Sequence, residues 1–211
     1  MENISEFFSM LLDSEKLLAY GGLTLLLLII FIETGLFFGF FFPGDALLFS
    51  AGLLCGTKNL DVNIFLLLFS VTIAAVLGNI TGYVTGKLFG KKLFAKEDSF
   101  FLKKKHLEKT KLFYQKYGGA SLIGGRFLPI VRTFAPILAG TIDMNFWKFN
   151  FYNVIGAFLW VWSLIPLGYF LGRQFPGLIN HLEYFILAMM IIPTIIMIRG
   201  AIKLKKEPAK V

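Results

Sequence analysis

Four ionisable residues lie inside stretches of sequence that are otherwise apolar enough to be buried in a bilayer. Glu33 and Asp45 bound the segment ETGLFFGFFFPGD, and Arg126 and Arg132 lie in GRFLPIVRTFAPILAG. A charge at the centre of a membrane costs roughly 2.5–3.5 kcal/mol or more, so such residues usually mark a functional site. We interpret the two acids and the two bases as one polar site assembled from both stretches.

The two arginines have the chemistry to bind a phosphate group. A guanidinium is planar and permanently charged, and it donates paired hydrogen bonds to phosphate oxygens. An unbroken helix would turn Arg126 and Arg132, six residues apart, to different faces. A break at Pro129 would let both face one cavity, which is what we predict.

The two carboxylates have two alternative roles. Burial raises the pKa of a carboxyl group in general, whereas a neighbouring arginine lowers it. Glu33 and Asp45 are therefore predicted either to take up and release protons, or only to neutralise the arginines in a structural cluster of four charges.

Composition indicates what kind of protein must position these residues. Of the 211 residues 56% are hydrophobic and 16% are charged, and the mean hydropathy is +0.72. Soluble domains average about 45–50% apolar and about 25% charged residues. We therefore predict an all-α, polytopic membrane protein with a single domain over residues 1–211.

The net charge of +8 does not indicate a nucleic-acid partner, because the basic residues lie between hydrophobic runs. The single cysteine, Cys55, excludes an internal disulfide and a cysteine metal cage. His106 and His181 are isolated, so no metal site and no cofactor are predicted. The N-terminus lacks the basic region of a secretory signal.

Prolines and hydrophobic runs divide the chain into hairpins and spans. Pro43-Gly44 interrupts one apolar run, and Pro129 and Pro136 interrupt another, so each is predicted to re-enter rather than cross the membrane. In chain order we predict a re-entrant hairpin at 17–55, a span at 62–86, a basic loop or interfacial helix at 87–117, a second re-entrant hairpin at 120–140, spans at 147–171 and 182–199, and a basic tail at 200–211.

Glycine recurs at every fourth position of the first predicted span, at Gly78, Gly82, Gly86 and Gly90. This spacing places all four on one helix face, where their small size lets another helix approach closely. We interpret the stripe as a packing surface rather than a ligand site.

Lysine distribution predicts the orientation in the membrane. Residues 87–117 hold ten lysines against three acids, and the tail 200–211 is basic again. Lysine-rich loops stay in the cytoplasm, so both segments, including the C-terminus, are predicted inside. The hairpin 120–140 then opens to the inside and the hairpin 17–55 to the outside.

An internal repeat supports this arrangement. Shifting the chain by 86 residues superimposes 39–43 on 125–129 and 82–87 on 168–173, with glycine, proline and aromatic positions matching. Each half is a hairpin followed by a span, and the halves face opposite ways. We predict two inverted repeats, as in secondary transporters, plus a C-terminal transmembrane helix.

The charged motifs resemble those of a known family. The motifs are Glu33-x-Gly35, Pro43-Gly44-Asp45 and Gly125-Arg126-Phe127-x-Pro129-x-x-Arg132-Thr133-x-x-Pro136-x-x-Ala139-Gly140. They resemble the DedA family, also called the SNARE-associated or VTT domain family, over roughly residues 20–175. The resemblance implies a multi-pass protein of the bacterial cytoplasmic (inner) membrane, with hairpins shaped by Gly35, Pro43, Gly44, Gly125, Pro129, Pro136 and Gly140.

The resemblance also implies a function. Members are linked to proton-motive-force-dependent membrane homeostasis and to flipping of polyprenyl phosphate, chiefly undecaprenyl phosphate, to the cytoplasmic leaflet. The implied protein is a lipid flippase that supports cell-envelope synthesis and is not an enzyme. Arg126 and Arg132 would bind the phosphate, and Glu33 and Asp45 would couple protons or pair charges. The partners are a membrane lipid and protons, with a homo-oligomer left open.

The sign of the charge movement favours proton coupling. Carrying one negative charge to a negative interior costs about 2.3 kcal/mol per 100 mV, and co-moving protons would cancel that cost. Three alternatives stay open: a phospholipid scramblase, a proton-coupled carrier of small solutes or drugs that uses the acids, and a membrane enzyme such as a lipid phosphatase. The last is disfavoured because neither histidine lies near the arginines in sequence.

Overall fold

The structure, a computed structural model, describes residues 14–36, 39, 44–95, 120–126, 129–175 and 177. These residues form six helices joined by short connections, and isolated bridge pairs at residues 55–60 are their only β-type pairing. The all-helical class predicted from composition is confirmed for this part of the chain. The helices are α1 (Ser14–Gly35), α2 (Gly44–Leu54), α3 (Ile64–Ala95), α4 (Ala120–Gly125), α5 (Pro129–Thr141) and α6 (Phe146–Gln174).

Several predicted segments lie outside the described residues. They are the span at 182–199, the tail at 200–211, most of the basic loop and Pro43 at the tip of the first hairpin.

Helix α3 continues to Ala95 and so extends into the segment at 87–117, which was predicted as a basic loop or interfacial helix. Residues 87–95, KLFGKKLFA, contain no proline, and their one glycine costs a helix only about 1 kcal/mol. The change in composition at residue 87 is therefore not the end of the helix.

Among the described residues, α3 and α6 are the two helices long and apolar enough to cross a membrane. The stretches 64–90 and 146–174 contain 27 and 29 residues, and within each an 18-residue window reaches a mean hydropathy of 2.2 and 1.9, respectively. A span needs about 20 predominantly apolar residues. Large apolar side chains also cover their outward faces, among them Phe65, Phe69 and Ile73 on α3 and Phe151 and Phe170 on α6.

The two N-terminal helices are shorter and more enclosed. Helix α1 is interrupted at Gly22, whose φ of 53° lies in the left-handed region that favours glycine. Helix α2 has 11 residues, and all but Asp45 are buried. At this length α2 is too short to cross a bilayer by itself.

Two short helices, α2 and α5, pack on the long helix from the opposite half of the chain. Helix α2 lies mainly against α6, α5 lies against α3, and α1 also lies against α3. Glycines make these contacts tight: Gly52 abuts the carbonyl oxygen of Ile165, and Gly86 abuts that of Ile137. Small residues allow helix backbones to approach this closely in membranes.

The glycine stripe of α3 serves two partners. Gly78 faces α1, where an added Cβ would meet Thr34, and Gly82 lies between α1 and α5. Gly86 and Gly90 face Ile137 and Thr141 of α5. The stripe is thus a packing surface, as its spacing indicated, and it fixes α5 relative to α3.

Replacing Gly86 by alanine should destabilise the protein by about 1–3 kcal/mol, because the new methyl group collides with backbone of α5 rather than with a flexible side chain. Thermal melting of the detergent-purified protein measures the effect. Gly124→Ala is the matched control, since nothing lies within 4 Å of a Cβ at that position. Equal melting of the two variants would contradict the packing role of the stripe.

A small aromatic cluster holds α3, α5 and α6 together beside the arginine segment. Tyr83 stacks on Phe149 with ring centroids 4.6 Å apart, and its hydroxyl donates to the carbonyl oxygen of Met144. Leu122 and Ala135 are buried against the same cluster. The segment that carries both arginines is therefore held in a fixed position.

Candidate functional site

Arg132 is the centre of a buried ion triad. Its Nη1 donates to Asp45 Oδ1 at 2.6 Å, and its Nη2 donates to Glu33 Oε1. Glu33 is wholly buried, whereas 22% of the Asp45 side chain is exposed. The structure thus brings both predicted acids and one predicted arginine into direct contact, from α1, α2 and α5.

Glycines make the approach of the two acids sterically feasible. Glu33 lies in the last turn of α1, and Asp45 lies in the first turn of α2. A Cβ at Gly44 would overlap the Glu33 carboxylate, and a Cβ at Gly39 would overlap the Glu33 backbone. The start of α2 also presents the positive end of its helix dipole to these negative charges.

Trp160 of α6 contacts three of the four predicted site residues. Its Nε1 donates to Asp45 Oδ1 at 2.7 Å. Its ring lies 4.3 Å from Arg132 Cζ and 5.6 Å from Arg126 Cζ, within the range of cation–π attraction. Sequence analysis missed Trp160. Its position in the middle of a predicted span could have identified it, because a buried indole N–H usually donates to a polar group.

Arg126 is buried without a carboxylate partner among the residues that the structure describes. Its exposed fraction is 2%, and its Nη1 donates to the backbone oxygen of Asn153 at 3.0 Å and to Asn153 Oδ1 at 3.1 Å. Gly156 leaves room for the side chain, because an added Cβ would lie 3.3 Å from Arg126 Cδ. The described groups that contact this cation are neutral.

Two asparagines complete the surroundings of Arg126. Asn79 Nδ2 donates to Asn153 Oδ1 at 2.8 Å, which links α3 to α6. In the opposite orientation of its amide, where the oxygen replaces the nitrogen next to Asn153, Asn79 accepts from Arg126 Nη1 at 3.0 Å and donates to the Thr34 carbonyl oxygen at 3.0 Å. Their contact with the arginine was not predicted, because the two positions lie 74 residues apart.

Both arginines line one narrow cleft that is partly open at the protein surface; its empty space is about 240 Å³ when the adjoining open solvent is included. The break between α4 and α5 accounts for this, since α4 ends at Gly125 and α5 begins at Pro129. Within the described part of the chain, the buried Nε atoms of Arg126 and Arg132 have no hydrogen-bond partner. The remaining lining residues are Asn79, Leu122, Ala135, Pro136, Phe149 and Asn153.

The predicted hairpin-shaping residues end helices or permit close contacts. Gly35 ends α1, Gly44 begins α2, Gly125 ends α4 and Pro129 begins α5. A Cβ at Gly35 would lie 2.7 Å from the Gly78 carbonyl oxygen, and Gly140 abuts the carbonyl oxygen of Tyr83. Pro136 lies inside α5 beside Gly82.

The charges of the site are unequally shared. Arg132 has two carboxylates and the face of Trp160, whereas the described partners of Arg126 are amides, a carbonyl and the more distant Trp160 ring. Buried donors that lack partners cost free energy, so they are where an anion gains most. The described residues contain no group of three or more His, Cys, Asp or Glu that could hold a metal ion. The arrangement is suited to binding an anion next to Arg126.

Comparison with known proteins gives consistent matches over most of the chain. The family model described as the VTT domain matches residues 42–170. Protein DedA of Escherichia coli (strain K12) is 40% identical over 186 residues, 88% of this chain and 84% of DedA. An uncharacterized membrane protein of Mycobacterium tuberculosis (strain H37Rv) is 38% identical over 167 residues, 79% of this chain and 73% of that protein.

The inner membrane protein YqjA of Escherichia coli (strain K12) is 31% identical over 177 residues, 83% of this chain and 78% of YqjA. No solved structure matches the chain.

Proposed function

The chain belongs to the VTT-domain (DedA) family of membrane proteins, and on that premise we propose that it is a lipid translocase. Its substrate is a polyprenyl phosphate, undecaprenyl phosphate, which it moves to the inner leaflet of the bacterial cytoplasmic membrane for cell-envelope synthesis. The observation that carries the proposal is Arg126, a buried guanidinium without a carboxylate partner in the described chain that lines a cleft.

A phosphate monoester supplies what Arg126 lacks. Its oxygens accept from a guanidinium in charge-assisted pairs, about twice as strong as neutral hydrogen bonds. Apolar lining residues, Leu122, Ala135 and Phe149, keep the local dielectric low, which strengthens the attraction. The isoprenoid tail stays in the bilayer, so the cleft has to admit only the head group.

Arg132 connects head-group binding to the carboxylates. Its two terminal nitrogens donate to Glu33 and Asp45, so a phosphate gains both of them as a bidentate pair only by displacing one of the carboxylates. Asp45 is the partly exposed member and is displaced more easily than the wholly buried Glu33. A proton on either carboxylate weakens its hold on Arg132, and in this way the acids couple protons to phosphate binding.

The packing supports the predicted membrane arrangement. In each half, two shorter helices precede a long apolar helix, and the second short helix packs on the long helix of the other half. We assign α1–α2 and α4–α5 to two re-entrant hairpins of inverted repeats. The predicted span at 182–199 follows the second repeat, and with it the proposed arrangement leaves the basic tail at 200–211 in the cytoplasm.

The chemistry of the cleft supports a transporter rather than an enzyme. Its lining consists of arginine and asparagine among Leu, Ala, Pro and Phe, and none of these side chains is a nucleophile for phosphate-ester cleavage.

Vesicles with the reconstituted protein and undecaprenyl phosphate test the function. We expect transfer of the phosphate to the inner leaflet to be faster than in protein-free vesicles. An acidic exterior should accelerate it at least several-fold, because protons that move inward cancel the charge of the lipid. A membrane-impermeant phosphatase that cleaves only outer-leaflet lipid monitors the distribution, and a protonophore provides the control.

Transfer no faster than in protein-free vesicles would refute the translocase. Transfer that is fast but indifferent to the gradient would refute coupling, and equal transfer of ordinary phospholipids would favour a scramblase.

A further inference from the structure

Two donors from different helices converge on one oxygen of Asp45. Arg132 Nη1 of α5 lies 2.6 Å from Asp45 Oδ1, and Trp160 Nε1 of α6 lies 2.7 Å from the same atom. We propose that Trp160 is a positioning residue: it holds the Asp45 carboxylate of α2 against α6 while Arg132 exchanges this carboxylate for the phosphate head group. The inference rests on the proposed function, whose exchange step it specifies.

The second donor lowers the cost of the exchange. Asp45 is mostly buried, with 22% of its side chain exposed, so the loss of its charged partner leaves part of its desolvation cost unmet. The indole N–H keeps one hydrogen bond to Asp45 throughout, so the departure of Arg132 leaves the carboxylate with a partner. The exposed fraction of Trp160 is 1%, so the indole N–H itself is shielded from competing water.

The same side chain also holds Arg132. Its ring lies 4.3 Å from Arg132 Cζ, and this attraction does not depend on which anion the guanidinium binds. Trp160 therefore contacts both members of the pair that must separate, and neither contact uses the terminal nitrogens that the phosphate needs.

The next tryptophan on α6 provides a matched control. Trp162 stacks on Phe158 with centroids 4.6 Å apart, and its buried Nε1 has no hydrogen-bond partner among the described residues. A change from tryptophan to phenylalanine thus removes a bonded N–H at position 160 and an unbonded one at position 162.

The experiment measures binding of undecaprenyl phosphate to the purified protein in detergent. We expect Trp160→Phe to weaken binding about three- to tenfold, because Asp45 then competes more strongly for Arg132. Trp162→Phe should change binding by less than twofold. In the Asp45→Ala background, where no carboxylate has to be displaced at this position, Trp160→Phe should also change binding by less than twofold.

Unchanged binding in Trp160→Phe would overturn the inference. Equal weakening of binding by Trp160→Phe in the wild-type and Asp45→Ala backgrounds would also overturn it, because Trp160 would then act through packing alone. Melting of wild type, Trp160→Phe, Asp45→Ala and the double variant reports whether the effects of the two changes on stability are non-additive without lipid. Additive effects would overturn the contact between Trp160 and Asp45. If the wild-type protein does not bind the lipid, the proposed function fails, and that outcome is distinct from wild-type binding that Trp160→Phe leaves intact.

Discussion

Arg126→Met is expected to abolish binding of undecaprenyl phosphate, with a loss of at least about a hundredfold, roughly 2.8 kcal/mol. The same variant should melt at or above the wild-type temperature. Arg126 is a buried cation without a compensating carboxylate in the described chain, so its removal eliminates a desolvation cost, and methionine retains most of its volume. Loss of binding without loss of stability is the signature of a residue kept for function.

Binding and melting of the detergent-purified protein check this expectation together. Arg173→Met is the matched control, because Arg173 is exposed and packs on Tyr169, away from the cleft. Arg126→Lys should recover only part of the affinity, since an ammonium lacks the planar pair of donors. Wild-type affinity in Arg126→Met would make the arginine structural and would favour the carrier of small solutes.

Arg132→Met is expected to give the opposite result for stability. Its removal leaves Glu33 wholly buried without its charged partner and strips Asp45 of one donor. Breaking a buried ion pair from one side costs about 3–5 kcal/mol. For a protein of this size that corresponds to a melting temperature lower by roughly 6–20 °C.

A second substitution distinguishes loss of charge balance from loss of packing. Glu33→Gln combined with Arg132→Met removes the stranded charge and should recover a substantial part of the melting temperature. The Glu33→Gln change alone should be destabilising, because it weakens the bond to Arg132. Equal lowering of the melting temperature by Arg126→Met and Arg132→Met would contradict the conclusion that carboxylates stabilise Arg132 but not Arg126.

The sequence predicted the identity of the ion triad better than its geometry. Acids and bases inside apolar runs are stabilised mainly by pairing with each other, so Glu33, Asp45 and Arg132 could be grouped from the sequence alone. The break that lets Arg126 and Arg132 share a cleft was also predictable, because proline at 129 restarts a helix.

The partners of Arg126 could not be predicted in this way. Asn79, Asn153 and Trp160 reach the arginines because α3 and α6 approach each other at a particular rotation, and that rotation depends on backbone contacts at glycines rather than on local propensity. Sequence periodicity identifies the buried face of a helix only when the other faces are polar. A membrane helix is apolar on all sides, so its periodicity says little about which face packs on a neighbour. Composition also says little about where α3 ends, because lysines change the composition of a segment without breaking a helix.

The exchange of short helices between the two halves has a consequence for biosynthesis. Residues 44–54 find their main packing surface on residues 146–174, and residues 129–141 find theirs on residues 64–95. While the ribosome is still translating the second half, the first half has already entered the membrane with α2, including its Asp45, uncovered. Assembly of the ion triad must therefore wait until α5 has been synthesised and inserted, and a chain truncated before Arg132 leaves two carboxylates in the bilayer without their cation.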